Sequence, residues 1–415
     1  MAGTVHGVSR ENKNKVSRPK VSGYTPLFFN GRRNLLIYSG VKHPMERESQ
    51  KYWVGLNMVL GVGKILFHRL VKALGSPKRV FHASRRELMG VERIGEKIAR
   101  QILEFDLERS LEREYQLVER RQARILTLED AEYPLLLKSI YDPPPVIYYK
   151  GTFLNEKSVP LAVVGTRKPT SYGKMVAEKL CGVLSEQGVC IVSGMARGID
   201  AIAHKAALHL GNPTVAVFGC GLDYTYPPES GSLRRRIEEC GAVISEFPMS
   251  TKPDRNNFPA RNRVISGLSH GTLVVEAGVK SGALITAQFA LEQGREVFAV
   301  PGNIYSPESG GTHALLKMGA KLTDGPEAVI EELSESVLEL LKERKSIELA
   351  AVELNPKEEH LMSLMSVQEQ HIDRIIENSC LSPAEVSATL VRLELKGMIR
   401  QTDGKMFLMN PSNVY

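Results

Sequence analysis

The sequence predicts an α/β protein whose centre is a doubly wound parallel sheet, with a helical module before it and a small helical domain with a β-wing after it. Three observations carry this prediction. Short apolar, β-branched runs alternate with helix-patterned segments over residues 160–325. Most of those runs stop at glycine, serine or a charged residue. The residues on either side of this region read as helices at amphipathic spacing.

At 415 residues the chain has room for two to three domains, and 42% apolar, 24% charged and 6% aromatic residues are ordinary for a globular protein. No apolar run reaches the roughly 18 residues that a membrane span needs. The first twenty residues lack the apolar stretch of a secretory leader. They are basic and contain serine, as an organellar transit peptide does, but show no clear amphipathic pattern, so residues 1–50 read as a flexible, solvated tail. The five cysteines (Cys181, Cys190, Cys220, Cys240 and Cys380) show no CxxC spacing. They imply a reducing compartment, the cytoplasm by default, and neither a disulfide frame nor a metal site. Residues 1–150, 151–330 and 331–415 carry net charges of +11, +2 and −6. A basic front suits a polyanionic partner, whereas an anion site in the near-neutral middle has to come from local clustering.

In chain order, residues 51–125 form the helical module. Leu60-Gly61-Val62-Gly63-Lys64 precedes one apolar-periodic helix, and Val91 to Lys97 (VERIGEK) precedes another. Such glycine hairpins resemble the helix-hairpin-helix motif, whose N–H groups hold DNA phosphates, and fit a helical packing module of sterile-alpha-motif type equally well. Residues 107–124 are a charged helix. Tyr141-Asp142-Pro143-Pro144-Pro145 is a rigid connection into the core, assigned to residues 126–330. Strands are expected at Leu161–Gly165, Val189–Ser193, Thr214–Gly219, Ala242–Glu246, Thr272–Glu276 and Glu296–Val300. Helices are expected around 173–187, 199–210, 230–239, 283–293 and 312–318.

Within the core, Val189 to Ser193 runs through Gly194, Met195, Ala196, Arg197 and Gly198 into a helix with Ile199, Ile202, Ala203 and Ala206 on one face. A strand feeding a helix through such a loop aims backbone N–H groups at one point and so favours an anion. In an open parallel sheet, ligands bind at the carboxyl ends of the strands. Those ends carry Gly165-Thr166-Arg167, Ser193-Gly194, Gly219-Cys220-Gly221, Glu246 and, beyond Glu276, Lys280-Ser281. The long connection after the fourth expected strand holds Arg255, Phe258, Arg261, Asn262 and Arg263. Arginine forks bind phosphate bidentately, and an aromatic face stacks a base. Phe258 precedes a proline and so reads as non-helical. Two readings stand for this cluster: an exposed ring with phosphate-binding arginines, or a core ring with arginines bonded to Asp254 or Glu246.

Residues 331–358 read as a charged helical linker. Residues 359–415 read as helices at 360–377 and Pro383–Gly397, then a hairpin around Ile399–Leu408, with Ser382 and Glu385 forming a capping box. Helices followed by a β-wing resemble a winged helix. That fold often binds DNA, but Glu385 and Glu394 here oppose Arg392 and Lys396, so docking of protein fits as well.

Seven phrases, in order, resemble the DNA-processing protein A family (DprA, also called Smf). They are VGTR from Val164, SGMARGIDAIAH from Ser193, FGCGLDYTYPP from Phe218, SEFP from Ser245, NFPARNRVISGLS from Asn257, SGALIT from Ser281 and REVFAVPG from Arg295. The resemblance runs from about Tyr52 to the C-terminus. It implies a helical module, an extended Rossmann-like core and a winged helix. It also implies a non-enzymatic protein without cofactors that binds single-stranded DNA taken up in natural transformation, forms a homodimer and promotes loading of the RecA recombinase. By motif, Arg167, Arg197, Arg255, Phe258, Arg261, Asn262, Arg263, Lys280 and Ser281, with backbone at Ser193, Gly194, Gly219 and Gly221, would form the DNA site. Arg255 and Lys280 stand where the family alternates between polar and basic side chains.

A rival reading is a nucleotide phosphoribohydrolase of the lysine-decarboxylase-like family. Gly271 to Glu276 (GTLVVE) departs from its P-G-G-x-G-T-x-x-E pattern by one residue and lacks the leading glycines. No nucleophile–base pair and no dinucleotide-binding GxGxxG is found. His204, inside a helix, reads as a packing residue rather than a base.

Overall fold

The computed structural model describes residues 49–155, 157–335, 337–342, 354–366, 368–402 and 404–409. The tail expected over residues 1–50 lies outside them as far as residue 48, as do linker residues 343–353. Six helices open the described chain: α1 (Gln50–Met58), α2 (Lys64–Leu74), α3 (Pro77–His82), α4 (Arg85–Met89), α5 (Glu96–Leu103) and α6 (Leu107–Arg121). Each expected glycine hairpin is present, joining α1 to α2 and α4 to α5. Gly63 and Gly95 are the residues before α2 and α5, both with extended backbone.

Nine strands build the sheet: β1 (Arg124–Thr127), β2 (Val146–Gly151), β3 (Val159–Val164), β4 (Val189–Ser193), β5 (Thr214–Phe218), β6 (Ala242–Ser245), β7 (Gly271–Val274), β8 (Glu296–Ala299) and β9 (Lys321–Leu322). Their order is β1-β2-β6-β5-β4-β3-β7-β8-β9. All pairs from β6 to β9 are parallel, while β2 pairs antiparallel with β6 and β1 antiparallel with β2. The six expected strands are found within one or two residues of their expected limits. The antiparallel pair β1–β2 and the two-residue β9 were not expected. β1 and β9 are edge strands, only partly buried and too short for a continuous apolar run, whereas β2 carries the buried run Val146-Ile147-Tyr148 directly after the proline-rich connection.

The chain winds outward from β3 to β6, returns to place β7 on the other side of β3, and continues to β9. The β3–β7 boundary is therefore the topological switch point, where the connections leave a crevice at the carboxyl ends of the strands. Alternation along β3 shows both faces covered. Leu161 and Val163 pack with α8 (Ser171–Glu186) and α9 (Ile199–His209), whereas Ala162 and Val164 pack with α11 (Asn257–Gly267) and α12 (Ala283–Glu292).

The helices expected as a module over 51–125 bury a core among themselves that is continuous with one face of the sheet. Trp53, Phe67 and Leu70 share one cluster with Tyr148 of β2, Phe218 of β5, Met249 and Leu233 of the helix Gly231–Cys240. The expected linker also begins later than residue 331, because Leu333, Val337 and Leu341 are buried with β3 and α8. The C-terminal domain has a separate cluster formed by Leu361, Ile375, Val386, Leu390, Leu393 and Phe407, among others. Its helices are Pro356–Leu364, Ile372–Ser379 and Pro383–Leu395, with a three-stranded wing. The single helix expected over 360–377 is thus two, separated by a strand at Gln370–His371. Ser382 and Glu385 do form a capping box.

The joint between helices and sheet contains a buried carboxyl. Glu114 of α6 is 3% exposed and accepts the Met249 N–H at 2.7 Å. Burial raises its pKa, opposed by the bonds from Met249 and Tyr148. The folded state therefore holds this proton more tightly than the unfolded chain, and the charged form costs stability at neutral pH. The cost is complete above the raised pKa and vanishes below the ordinary glutamate value. Glu114→Gln retains an oxygen for Met249. It should raise the Tm at pH 7, with the difference from wild type closing as the pH falls through the carboxylate range in a calorimetric pH series.

Candidate nucleic-acid interface

The carboxyl edge of the sheet carries a groove of about 570 Å³ at the switch point. Its wall comes from Gly165, Thr166 and Arg167 after β3, from Arg255 before α11, from Phe258 and Asn262 in the first two turns of α11, and from Lys280 and Ser281 before α12. Arg167, Arg255 and Lys280 are exposed at its rim. The long arginine-bearing connection is partly helical: α11 begins at Asn257, with Phe258 second and Pro259 third. Proline is tolerated there because the first-turn N–H groups have no intrahelical partner. The helix start thus fixes Phe258 at the mouth of the groove, where the ring is half-buried. It stands 5.2 Å from the Tyr226 ring, and the guanidinium carbons of Arg167 and Arg261 both lie 5.9 Å from its centre. Gly219 lies beneath it, and a Cβ there would come within 2.9 Å of the ring.

Burial separates the arginines. Arg261 is 5% exposed. One of its guanidinium nitrogens donates to the Gly194 carbonyl at 2.8 Å and to that of Val217, and Nε donates to Asn262 Oδ1 at 3.2 Å. It ties the ends of β4 and β5 together and floors the groove, with a pKa lowered to about 10 chiefly by burial. Arg263 is 1% exposed and does not reach the groove. It pairs with Glu246 and donates to the Asp142 carbonyl at 2.6 Å. Asp142 also binds Lys64 Nζ at 2.9 Å. Expected as a phosphate ligand, Arg263 is instead the centre of a buried ion network joining the first hairpin, the rigid connection and α11. The Glu246 partner is the one given by the core reading of the cluster. Lys64, the lysine of the G-V-G-K phrase, faces this network, and burial lowers its pKa.

The loop from β4 to α9 also departs from expectation. Asp200 is buried, and its Oδ2 accepts the N–H of Gly194 at 3.2 Å and of Ala196 at 3.3 Å. The donors expected to meet an external anion are engaged by this internal carboxylate, whose pKa burial raises and Arg261 opposes. Ser193 is fully buried and donates to the Val163 carbonyl at 2.6 Å. Gly221 N–H donates to the Thr251 carbonyl at 2.9 Å and lines neither recess. Both are structural rather than available to a ligand. Gly194 and Gly219 line a smaller recess of about 70 Å³ behind Phe258 and Tyr226. Arg197 is at its mouth, exposed and ion-paired with Glu229.

The sequence reading missed Tyr226. It lines both recesses and faces Phe258, and its signal was the aromatic pair in the FGCGLDYTYPP phrase. Glu276, the carboxylate relevant to a phosphoribohydrolase, accepts the Thr170 N–H at 2.8 Å and its hydroxyl at 2.6 Å. It holds the start of α8. His204 is buried, with Nδ1 2.7 Å from the Thr214 hydroxyl, and burial lowers its pKa to about 3. It is a neutral packing residue. Among the described residues, no group of three or more His, Cys, Asp or Glu is placed to hold a metal ion.

Residues 124–334 match the model of a family described as DNA recombination-mediator protein A, and residues 348–405 match a DprA winged helix domain. Protein Smf of Synechocystis sp. is 33% identical over 398 residues, covering 88% of this chain and 99% of that relative. DNA processing protein DprA of Bacillus subtilis is 45% identical over 211 residues, 51% of this chain and 71% of the relative. The X-ray structure of DNA processing protein A from Streptococcus pneumoniae superposes with a TM-score of 0.60 at 33% identity, covering 68% of this chain and 98% of that one.

Removing one partner of a buried ion pair leaves the other charge uncompensated, at a cost of about 3–5 kcal/mol. Arg263→Leu should therefore lower the unfolding free energy by about that amount in urea titrations. Exposed Arg255→Ala should change it by less than about 0.5 kcal/mol.

Proposed function

Because the chain belongs to the DNA recombination-mediator protein A (DprA/Smf) family, we propose that its groove binds single-stranded DNA taken up in natural transformation and that the protein promotes loading of the RecA recombinase, without catalysing a reaction. One observation carries the DNA assignment. Three exposed cations and a half-buried aromatic ring converge on an open groove at the switch point of the sheet. Arg167, Arg255 and Lys280 would take phosphates, Asn262 and Ser281 would add polar contacts, and Phe258 would stack a base. Arg261, Gly194 and Gly219 shape the floor, and Arg197 would exchange Glu229 for a phosphate.

RecA loading rests on the family resemblance. A homodimer is supported by the exposed edge strand β9, with Leu322 and the neighbouring Met318 53% and 68% exposed. A cytoplasmic location is supported by cysteines that show no CxxC spacing, of which Cys181, Cys190 and Cys220 are buried. No helix among the described residues is long and apolar enough to cross a membrane. The phosphoribohydrolase alternative is disfavoured because Glu276 is engaged by Thr170.

The binding experiment is a salt series with oligo(dT). Arg167→Glu and Lys280→Glu should each weaken binding and make the slope of log K against log salt shallower by about one. Phe258→Ala should cost about 1–3 kcal/mol with the slope unchanged. Unchanged slopes in both charge variants, with folding intact, refute the groove as the DNA site.

The winged helix is not required for this binding. Two of its recognition-helix cations are engaged within the domain, since Glu358, 1% exposed, pairs with Lys396 at 2.6 Å and Arg392 at 3.4 Å, although both cationic side chains stay at the surface. Truncation removing residues 354–415 should leave oligo(dT) affinity within a few-fold. A tenfold fall, about 1.4 kcal/mol, would place the wing in the site.

A further inference from the structure

We propose that the bound strand continues past the groove onto a second base-stacking platform, formed by Tyr305 with Ile304 and Val279; this rests on the single-stranded DNA reading above. Beside the groove, Tyr305 is 87%, Ile304 77% and Val279 69% exposed. Single exposed apolar residues are ordinary, but three on two adjoining loops that run into a cationic groove are not explained by folding.

The loop that carries the first two is held firmly. Asn303 Oδ1 accepts the Tyr305 N–H at 2.9 Å, and the Asn303 carbonyl accepts the Ser306 N–H at 3.0 Å. On the other shoulder, the Tyr172 hydroxyl donates to the Pro301 carbonyl at 2.8 Å. A hydrogen-bonded turn thus presents the exposed ring, and the backbone order it supplies lowers the entropy lost when a base stacks there.

Continuity with the groove identifies the occupant. Gly278 and Lys280, on either side of Val279, both line the groove, and so does Glu308, three residues after Tyr305. A Cβ at Gly278 would lie 3.4 Å from the Pro307 carbonyl oxygen, so the two loops adjoin. Lys280 stands at the junction, where a strand's backbone would pass between the two aromatic stations. Phe258 packs over Gly219 at the end of β5, and Tyr305 follows β8. Four inter-strand steps of about 4.8 Å separate those strands, roughly 19 Å along the sheet edge. A cation flanked by aromatics along one line suits a polyanion with stackable bases, and suits an apolar protein surface less well.

The test uses the full chain with two oligo(dT) probes, one of about four and one of about twenty nucleotides. Tyr305→Ala should bind the long probe about tenfold more weakly than wild type and the short probe equally well, with the same salt slope and the same mass by light scattering. Tyr305→Phe should restore the long-probe affinity. Phe258→Ala should weaken both probes. Equal affinity of Tyr305→Ala for the long probe, or equal loss on both probes, overturns the platform. Loss accompanied by a fall in mass also overturns it and makes the patch a contact between copies. If wild type retains neither probe, the single-stranded DNA reading fails first.

Discussion

The placement of the groove depends on one buried guanidinium. Arg263 sits inside α11, almost wholly removed from water, and binds Glu246 at the end of β6 and Asp142 in the proline-rich connection. Lys64 at the start of α2 closes the same network through Asp142. A buried charge persists only when it is paired and hydrogen-bonded, so this cluster tolerates few alternative arrangements. Because Phe258 and Arg261 lie on the same helix, fixing Arg263 fixes them as well. The helical region contributes to the site through this anchor, although none of its residues lines the groove.

The arginines of one short segment thus divide by depth. Arg255 precedes the helix and stays in solvent, Arg261 floors the groove by binding two strand-end carbonyls, and Arg263 serves the core. Asp200 has an analogous role in the β4–α9 loop, where a carboxylate from the protein satisfies the backbone donors that an external anion would otherwise attract. The result is a rigid floor made from charged groups whose hydrogen bonds are internal. The cations free to meet a polyanion are confined to the rim, where water keeps desolvation cheap. That division favours a strand lying across the edge of the sheet over a small anion sunk into a loop.

Charge is partitioned along the chain in the same sense. The C-terminal domain is acidic, and its buried Glu358 draws Arg392 and Lys396 of the would-be recognition helix into its own framework. A winged-helix outline by itself therefore says little about DNA contact. What matters is whether its cations are already paired within the domain.

The sequence by itself determined the parallel sheet, its six central strands and the family, and it pointed to the carboxyl edge where the groove lies. Those follow from local periodicity and from ordered motifs, and each is decided by residues near one another in the chain. Only the tertiary structure decided which arginine meets solvent. Arg261 and Arg263 are two residues apart on a helix that the Phe258-Pro259 pair disguised as a loop, and nothing local marks one as floor and the other as core. Their partners, Gly194, Val217, Glu246 and Asp142, come from distant segments. The shared core of the helical region and the sheet was invisible for the same reason, since Trp53 and Phe218 join one cluster only after the strands are ordered. Burial of a charge is a property of the assembled packing, and so it was decided last.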